Sequence, residues 1–456
     1  MRFLFTTLQT YETEFYGRVG EGLSGRGHEV SHVTVSRAAA RLLREQGVEA
    51  VCLPDVVAER PRVDVAAEVA RIEQTYAIPH IRDVYRADWP CEGRSESWCV
   101  ERTVQHFRAL EHVFDQVRPE VLVPEVGNET VRVASHLIGL ARGIPVLFLL
   151  YTIFPNPLRL YVDTLHAPIV PLDEVRELEQ AEREEVEAFR EEFIGRAAPI
   201  REYRRVPIEL RRVKVFADHL RRRREDRDND YLRPGRLLGM NAAEWARARA
   251  ARPFYDELDP DRPFVYFPLH VTDDYKIKRI IPHTVDQVSL VEQVADALPP
   301  GYDLVLKEHP MSVGRNSVAL LRRLRTRANV RLAQPRTSTH DLIQRSAAVA
   351  VISSTVGLEA LLYDKPVLTL GQPFYSGYGI TLDVDSFAEI RDAVPALLRF
   401  RPDPERITRF LHAAMRACRP GAPVLVDRSD ANAETLADTL DRAARELSVA
   451  REHATA

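Results

Sequence analysis

Val349-Ala350-Val351-Ile352-Ser353-Ser354-Thr355-Val356-Gly357-Leu358-Glu359-Ala360 is the stretch on which the fold turns. An unbroken apolar run fits a strand buried on both faces, and three small hydroxyl residues end it. The segment predicts a strand over 348–352 and a helix over 356–362. A helix starting at a strand end presents unpaired N–H groups and the positive end of its dipole. That suits a phosphate, with Ser353, Ser354 and Thr355 adding hydroxyls. Ordinary capping explains the same residues without a ligand, because Ser and Thr cap any helix well. Glu359 is outside a capping box, since Val356 stands three before it, and is left to accept bonds from a ribose or sugar hydroxyl.

Strands and helices alternate on both sides of this segment. Strands are predicted at 264–269, 303–307, 330–332 and 367–370, with helices at 285–298, 317–325, 339–345 and 387–398 between or after them. Near the start, strands at 2–7, 29–35, 121–124 and 145–150 alternate with helices at 16–26, 100–117 and 130–142. This is the pattern of doubly wound α/β domains. Residues 172–195 read as a long charged helix and 201–227 as an Arg-dense one, in which Leu210, Val213, Ala217 and Leu220 keep helical spacing. The mixed-charge stretch 225–261, with Pro234-Gly235, reads as a boundary. The expected domains are therefore 1–235, 258–400, and terminal helices over 401–456 that pack back toward the first.

The chain has 456 residues, 45% hydrophobic and 29% charged, enough for domains of ~100–200 residues with proper cores. A net charge of −4 gives no sign of a nucleic-acid partner. Lysine occurs only at Lys214, Lys276, Lys278, Lys307 and Lys365. Cys52, Cys91, Cys99 and Cys418 form no C-x-x-C pair and no metal spacing, as expected of free thiols in a reducing cytosol. Met1-Arg2-Phe3-Leu4-Phe5 leads straight into a strand rather than a signal peptide. The longest nearly apolar run, 144–154, falls short of the ~20 residues that span a bilayer. The expectation is a cytoplasmic protein, or one peripheral at the inner face of the membrane through the basic segment 201–227; a solvated helix face is the plainer reading of that segment.

Three further strand ends carry chemistry. Leu304-Val305-Leu306-Lys307-Glu308-His309-Pro310 delivers a lysine and a histidine two apart, both able to face a leaving phosphate, with Pro310 fixing the turn. Lys365-Pro366-Val367-Leu368-Thr369-Leu370-Gly371-Gln372-Pro373-Phe374-Tyr375, followed by Gly377-Tyr378-Gly379, supplies a loop able to close on a base or sugar, with Gln372 and Tyr375 as contacts. Glu125 ends a buried strand beside Gly127, Asn128 and Glu129, where a carboxylate can deprotonate an acceptor hydroxyl or act as nucleophile. Asp163, and Glu12 with Glu14, are alternatives to it. The D-x-D triplets 228–230, 259–261 and 383–385 read as surface chemistry, so no obligatory metal or other cofactor is expected.

Taken together, 264–270, 307–310, 353–360, Lys365-Pro366-Val367 and 371–375 resemble the capsule polysaccharide biosynthesis family, which includes Kdo transferases. Gly127-Asn128, Gly143-Ile144-Pro145 and 155–163 extend the resemblance, which covers roughly 120–385. It implies two Rossmann-like α/β domains facing across a cleft, the GT-B glycosyltransferase architecture, with the nucleotide held by the C-terminal domain. It implies nucleotide contacts from His309-Pro310 and Ser353-Ser354, a CMP-sugar donor and a glycan or glycolipid acceptor. His270 and Asn128 fall in matching segments and are expected to touch substrate. The sequence departs from the family after His270, at Val271-Thr272-Asp273-Asp274, and in 201–227. A sugar-nucleotide epimerase, a polyol-phosphate transferase of the teichoic-acid type and a non-enzymatic glycan-binding protein are the competing readings.

Overall fold

A computed structural model of the chain describes residues 1–196, 217, 220–271, 274, 275, 278 and 286–455. Two compact units emerge. One comprises Met1–Leu165, Glu209–Pro234 and Cys418–Ala456, the other His166–Ile208 and Gly235–Ala417. The division departs from the expected boundaries in three places, the first being that the second unit resumes at Gly235 rather than 258. The charged stretch after His166 belongs with the second unit, and of the terminal helices only the last belongs with the first. Most of 201–219, together with Thr272 and Asp273, lies outside the described residues.

The first unit is built on β1 (Arg2–Thr7), β2 (Glu29–Thr34), β3 (Glu49–Cys52) and β4 (Val121–Pro124), all parallel, in the order β3-β2-β1-β4. β5 (Leu147–Tyr151) continues beyond β4 through a parallel bridge between Leu122 and Val146. β6 (Leu158–Val162) returns antiparallel to β5. The apolar faces of β1 and β4 bury against the helix Thr10–Ser24, which in turn carries the last helix, Asp430–Thr455. Phe15, Val19 and Leu23 meet Leu436, Ala437 and Leu440 there. Gly22 permits the contact, since a Cβ at this position would stand 2.8 Å from that of Ala437.

The second unit has one parallel sheet: β7 (Phe264–Pro268), β8 (Asp303–Lys307), β9 (Val330–Leu332), β10 (Ala348–Val351), β11 (Val367–Thr369) and β12 (Leu382–Asp383). Their order is β12-β11-β10-β7-β8-β9. The chain starts in the middle, moves outward through β8 and β9, then returns to the other side of β7 with β10. This is the doubly wound arrangement, and the switch point lies between β7 and β10. Leu290, Val291, Val294, Ile390, Val394 and Leu397 cover the sheet from helices Gln287–Ala297 and Ile390–Leu397.

Within the first core, His32 on β2 is fully buried and stacks on Phe5 with ring centroids 5.1 Å apart. Neither ring nitrogen has a hydrogen-bond partner, and burial depresses its pKa from 6.5 to about 3. A histidine with a depressed folded pKa gives full stability above its unfolded pKa and loses it as pH falls toward the folded one. Between pH 6.5 and about 3 the loss is about 1.4 kcal/mol per pH unit. His32→Leu is expected to gain about 2 kcal/mol on wild type when denaturant unfolding at pH 7.5 is compared with pH 5. Parallel stability curves for the two proteins would remove His32 from the acid response.

Candidate functional site

The carboxyl ends of β7, β8 and β10 meet beside the second unit's switch point. Pro268 is in register with Lys307, and the chain continues to His270 on one strand and His309 on the other. Leu269 N–H donates to the Lys307 carbonyl at 2.9 Å, keeping the two tips together. Ser353 follows β10, and its N–H donates to His270 Nε2 at 3.2 Å. Thus His270, Lys307, His309, Ser353 and Ser354 gather at one edge of the sheet.

Lys307 is buried, and its ammonium donates to Thr339 Oγ1 at 2.8 Å. Desolvation lowers its pKa from 10.5 to about 8, while the charge of Glu359 acts in the opposite sense. Glu359 is driven up from 4.5 to about 7 by its own desolvation, opposed by Lys307 and by a hydrogen bond from Thr355. Both groups therefore titrate close to neutral pH at the tip of this sheet. Glu308, between Lys307 and His309 in sequence, turns the other way. It is buried and accepts hydrogen bonds from Asn316 Nδ2 at 2.6 Å and from the Tyr255 hydroxyl. His309 caps the short turn Pro310–Ser312, its Nδ1 accepting from Met311 N–H at 3.2 Å. That bond assigns the proton of a neutral ring to Nε2 and makes this nitrogen the donor.

Several expected roles change. The helix after β10, Thr355–Leu361, has only seven residues and is capped in the ordinary way. Val356 N–H goes to Ser354 Oγ at 3.2 Å and Gly357 N–H to the Ser354 carbonyl at 3.2 Å. The Ser353 N–H is thus committed to His270 and the Val356 and Gly357 N–H groups to Ser354, and Lys307 is the cationic side chain at this edge. His270 is a positioning residue: its Nε2 holds the Ser353 turn, and its Nδ1 lies 3.6 Å from Asp274 Oδ2. Tyr375 is fully buried rather than available to a base. Its hydroxyl donates to the Ser354 carbonyl, and it fills the space where a Gly357 side chain would be, 2.1 Å from an added Cβ. Gln372 sits in the left-handed region at φ 41° and bonds to His166 at 2.9 Å and Asp385 at 3.4 Å.

In the first unit the switch point lies between β1 and β4, and a charged cluster occupies it. Glu125 follows β4 and accepts a hydrogen bond from the Tyr16 hydroxyl. Arg132 reaches both oxygens of Glu12 at 2.9 Å and Glu129 at 3.0 Å. Glu12 also accepts from the N–H groups of Leu8, at 2.9 Å, and Gln9, at 3.1 Å, behind β1. Gly127 is required beside this cluster, since a Cβ would lie 2.1 Å from Glu129 Oε2. Burial raises the Glu125 pKa from 4.5 to about 7, opposed by Arg132 and reinforced by Glu12. A carboxylate poised near neutrality can take a proton from a hydroxyl. Asn128 occupies the loop between Glu125 and the helix Thr130–Ala141.

Asp163 is removed from the candidates. It follows β6 with φ 63°, and its carboxylate accepts from Val146 N–H at 2.8 Å. Val146 precedes β5, so Asp163 serves the amino edge of the sheet, whereas Glu125 stands at the carboxyl edge. Glu14 is exposed and lines a small pocket with Tyr11 and Arg222. The triplet at 228–230 is a clasp: Asp228 pairs with Arg37 at 2.9 Å and Asp230 with buried Arg102 at 2.9 Å. Asp226 joins it by accepting from Ser36 Oγ at 2.7 Å. Asp383 accepts from Thr369 and Thr381, each at 2.6 Å.

The family model for capsule polysaccharide biosynthesis protein matches residues 172–399, half of the chain. The first-domain segments that resemble the family, 127–163, lie outside that match. Among curated proteins, Protein FixF of Sinorhizobium fredii is 29% identical over 165 residues, 36% of this chain and 40% of that protein. The capsule polysaccharide modification protein LipA of Neisseria meningitidis serogroup B is 28% identical over 127 residues, 27% of this chain and 18% of that protein. The chain thus spans less than half the length of these curated relatives. Among solved structures, the beta Kdo 2,7 transferase of Thermosulfurimonas dismutans KpsC is similar over 70% of this chain and 87% of that one, at 17% identity and a TM-score of 0.33. The segments 307–310, 353–360 and 365–375 all fall within the matched residues, and the chain belongs to the capsule polysaccharide biosynthesis protein family.

Proposed function

We propose that the chain is a glycosyltransferase that moves a sugar from a nucleotide donor to a surface-polysaccharide or glycolipid acceptor. One observation carries this reading. A buried ammonium at Lys307 and the His309 turn share the carboxyl edge of a doubly wound sheet with the Ser353–Ser354 turn, beside the switch point where such folds bind ligands. The donor's phosphate sits against Lys307 and His309 Nε2–H, with Pro310 fixing the turn. Ser353, Ser354 and Thr355 line its approach, and Glu359 accepts from a ribose or sugar hydroxyl. Asn128 in the first unit and Gln372 in the second contact sugars. A CMP-activated donor is favoured by the family resemblance in 307–310 and 353–354, and no metal is required.

In the reaction the bond from the sugar's anomeric carbon to the donor phosphate oxygen breaks, and the electron pair leaves with the nucleotide. The same carbon bonds to an acceptor hydroxyl oxygen, whose proton passes to Glu125. Lys307 and His309 stabilise the charge that grows on the leaving phosphate. Tyr16 holds Glu125 in its place, and the charge of Arg132 favours its ionised form.

A thermal-shift comparison of CMP, UDP, GDP and CDP tests donor binding. A nucleotide at ~100 times its Kd stabilises by about 2.7 kcal/mol, and CMP is expected to give the largest shift. His309→Ala is expected to abolish that shift without lowering the ligand-free midpoint; an unchanged shift would exclude His309. The pH dependence follows from Lys307, whose charged form binds the anion and is lost above about pH 8. Affinity is expected to fall up to about tenfold per unit above that pH, and Lys307→Arg is expected to flatten the decline. A Kd indifferent to pH between 7 and 10 would contradict the assignment.

Glu125→Gln is expected to lower transfer by about 10²–10⁴-fold while leaving the nucleotide shift intact. The rise of kcat/KM with pH near 7 is expected to vanish in this variant. Retained transfer would move the base elsewhere. Conversion of a UDP-sugar without acceptor would identify an epimerase instead, and CMP release with phosphate moved to the acceptor would identify a polyol-phosphate transferase.

A further inference from the structure

A cavity of about 150 Å³ lies within the first unit, at the carboxyl edge of β1 and β2. Leu8 and Tyr11 line it after β1, and Arg222, Asn229 and Tyr231 form the facing wall, with exposed Glu14 at the rim. This edge is where doubly wound sheets take ligands, and a cavity of this size is enough for a single six-membered ring. The facing wall is fixed by the clasp at 226–230. Asp226 accepts from Ser36 Oγ at 2.7 Å and from the Arg37 N–H, and Arg37 pairs with Asp228 at 2.9 Å. The Tyr231 hydroxyl donates to buried Asp88 at 2.9 Å. Tyr11 stands between the cavity and the Glu125 cluster. Its hydroxyl donates to Glu12 at 3.4 Å, and burial, with the charges of Glu12 and Glu125, holds it protonated. Arg428 lies 4.3 Å over its ring and steadies it.

The polar lining points to the class of occupant. Asn229 is only 8% exposed, and its Oδ1 accepts from the Tyr231 N–H at 3.0 Å. Its amide nitrogen has no partner among the described residues, so two buried donors are open to the cavity. Arg222 pairs with no carboxylate among the described residues and adds donors beside it. The sequence placed a membrane contact in the basic segment 201–227; at its described end, Arg222 lines this cavity. Of the three charged lining residues, Glu14, Asp226 and Arg222, two are acidic. The lining therefore has no surplus of positive charge to hold a phosphate or a sugar carboxylate. An uncharged sugar ring matches it. Its hydroxyls accept from Asn229 and Arg222 and donate to Glu14, while its apolar face packs on a tyrosine ring.

We propose that this pocket seats a neutral sugar ring of the acceptor and selects against acidic sugars, with Glu14, Arg222 and Asn229 as the specificity-determining residues. It rests on the transferase reading, which supplies the need for an acceptor beside Glu125. The test is saturation-transfer NMR of the full chain with the methyl glycosides of glucose, galactose and mannose and with the three corresponding uronides. Wild type is expected to bind at least one neutral glycoside and to bind its uronide more weakly. Arg222→Gln and Asn229→Asp are each expected to raise the Kd of that glycoside about tenfold or more. Glu14→Gln is expected to weaken it as well and to admit the matching uronide, a change of selectivity that lost packing would not produce. An unchanged ligand-free unfolding midpoint shows that each variant folds, and Glu14 and Arg222, neither of them buried, keep the test open if Asn229→Asp does not. No binding of any neutral glycoside, tighter binding of the uronides by wild type, or a Kd unchanged in the variants would overturn the proposal. The nucleotide thermal shift separates the two readings. A preserved shift without glycoside binding removes this pocket alone, whereas glycoside binding that the variants weaken, without any nucleotide shift, supports the pocket and strikes the donor site.

Discussion

A parallel sheet whose strand order reverses leaves one place at its carboxyl edge that no crossover covers. Both units of this protein have such a place, between β1 and β4 in the first and between β7 and β10 in the second. Each is occupied by groups that a folded interior accepts at a cost. In the second unit these are the Lys307 ammonium and the Glu359 carboxyl; in the first, Glu12, Glu125 and Glu129 share Arg132. Everything inferred about chemistry depends on this constraint, because it brings residues far apart in sequence to one edge.

Neither cluster is arranged for stability. Replacing buried ion pairs with apolar groups of similar shape is often neutral or stabilising, whereas leaving one partner unpaired is costly. Desolvation moves Lys307 down to about 8 and Glu359 and Glu125 up to about 7, so all three sit within reach of a proton exchange at neutral pH. Around them the packing is strict. Gly357 leaves room for Tyr375, Gly127 leaves room for Glu129 and Arg132, and Glu308 is held by Tyr255 and Asn316 so that its two neighbours face the edge.

The alternation of strands and helices was legible from local composition. The bounds Val121–Pro124, Asp303–Lys307 and Val330–Leu332 coincide with those read from the sequence, because short apolar runs between turn formers are sharply delimited. The stretch 225–261 reads as a boundary, and the two units divide within it, between Pro234 and Gly235, but it also holds a helix that composition concealed. Pro234-Gly235 suggested a break, yet proline is well suited to a helix's first turn, and an 18-residue helix begins there. The charged run after Leu172 opens with a short 3₁₀ turn, and its helix starts only at Gln180. Roles that depend on distant partners were hidden. His270 meets the Ser353 N–H 83 residues away, and Asp163 meets the Val146 N–H 17 residues away. Arg132 was missed although an arginine inside the apolar helix Thr130–Ala141 was the available signal; its partner Glu12 is 120 residues distant.

The central claim is that the second unit's switch point holds the anionic part of an activated sugar. A crystal structure of the chain with CMP bound tests it most directly. The account predicts the phosphate within hydrogen-bond distance of Lys307 Nζ and His309 Nε2, beside the Ser353–Ser354 turn. Well-ordered nucleotide seated elsewhere, with Lys307 still bonded to Thr339 and no phosphate at this edge, would contradict it.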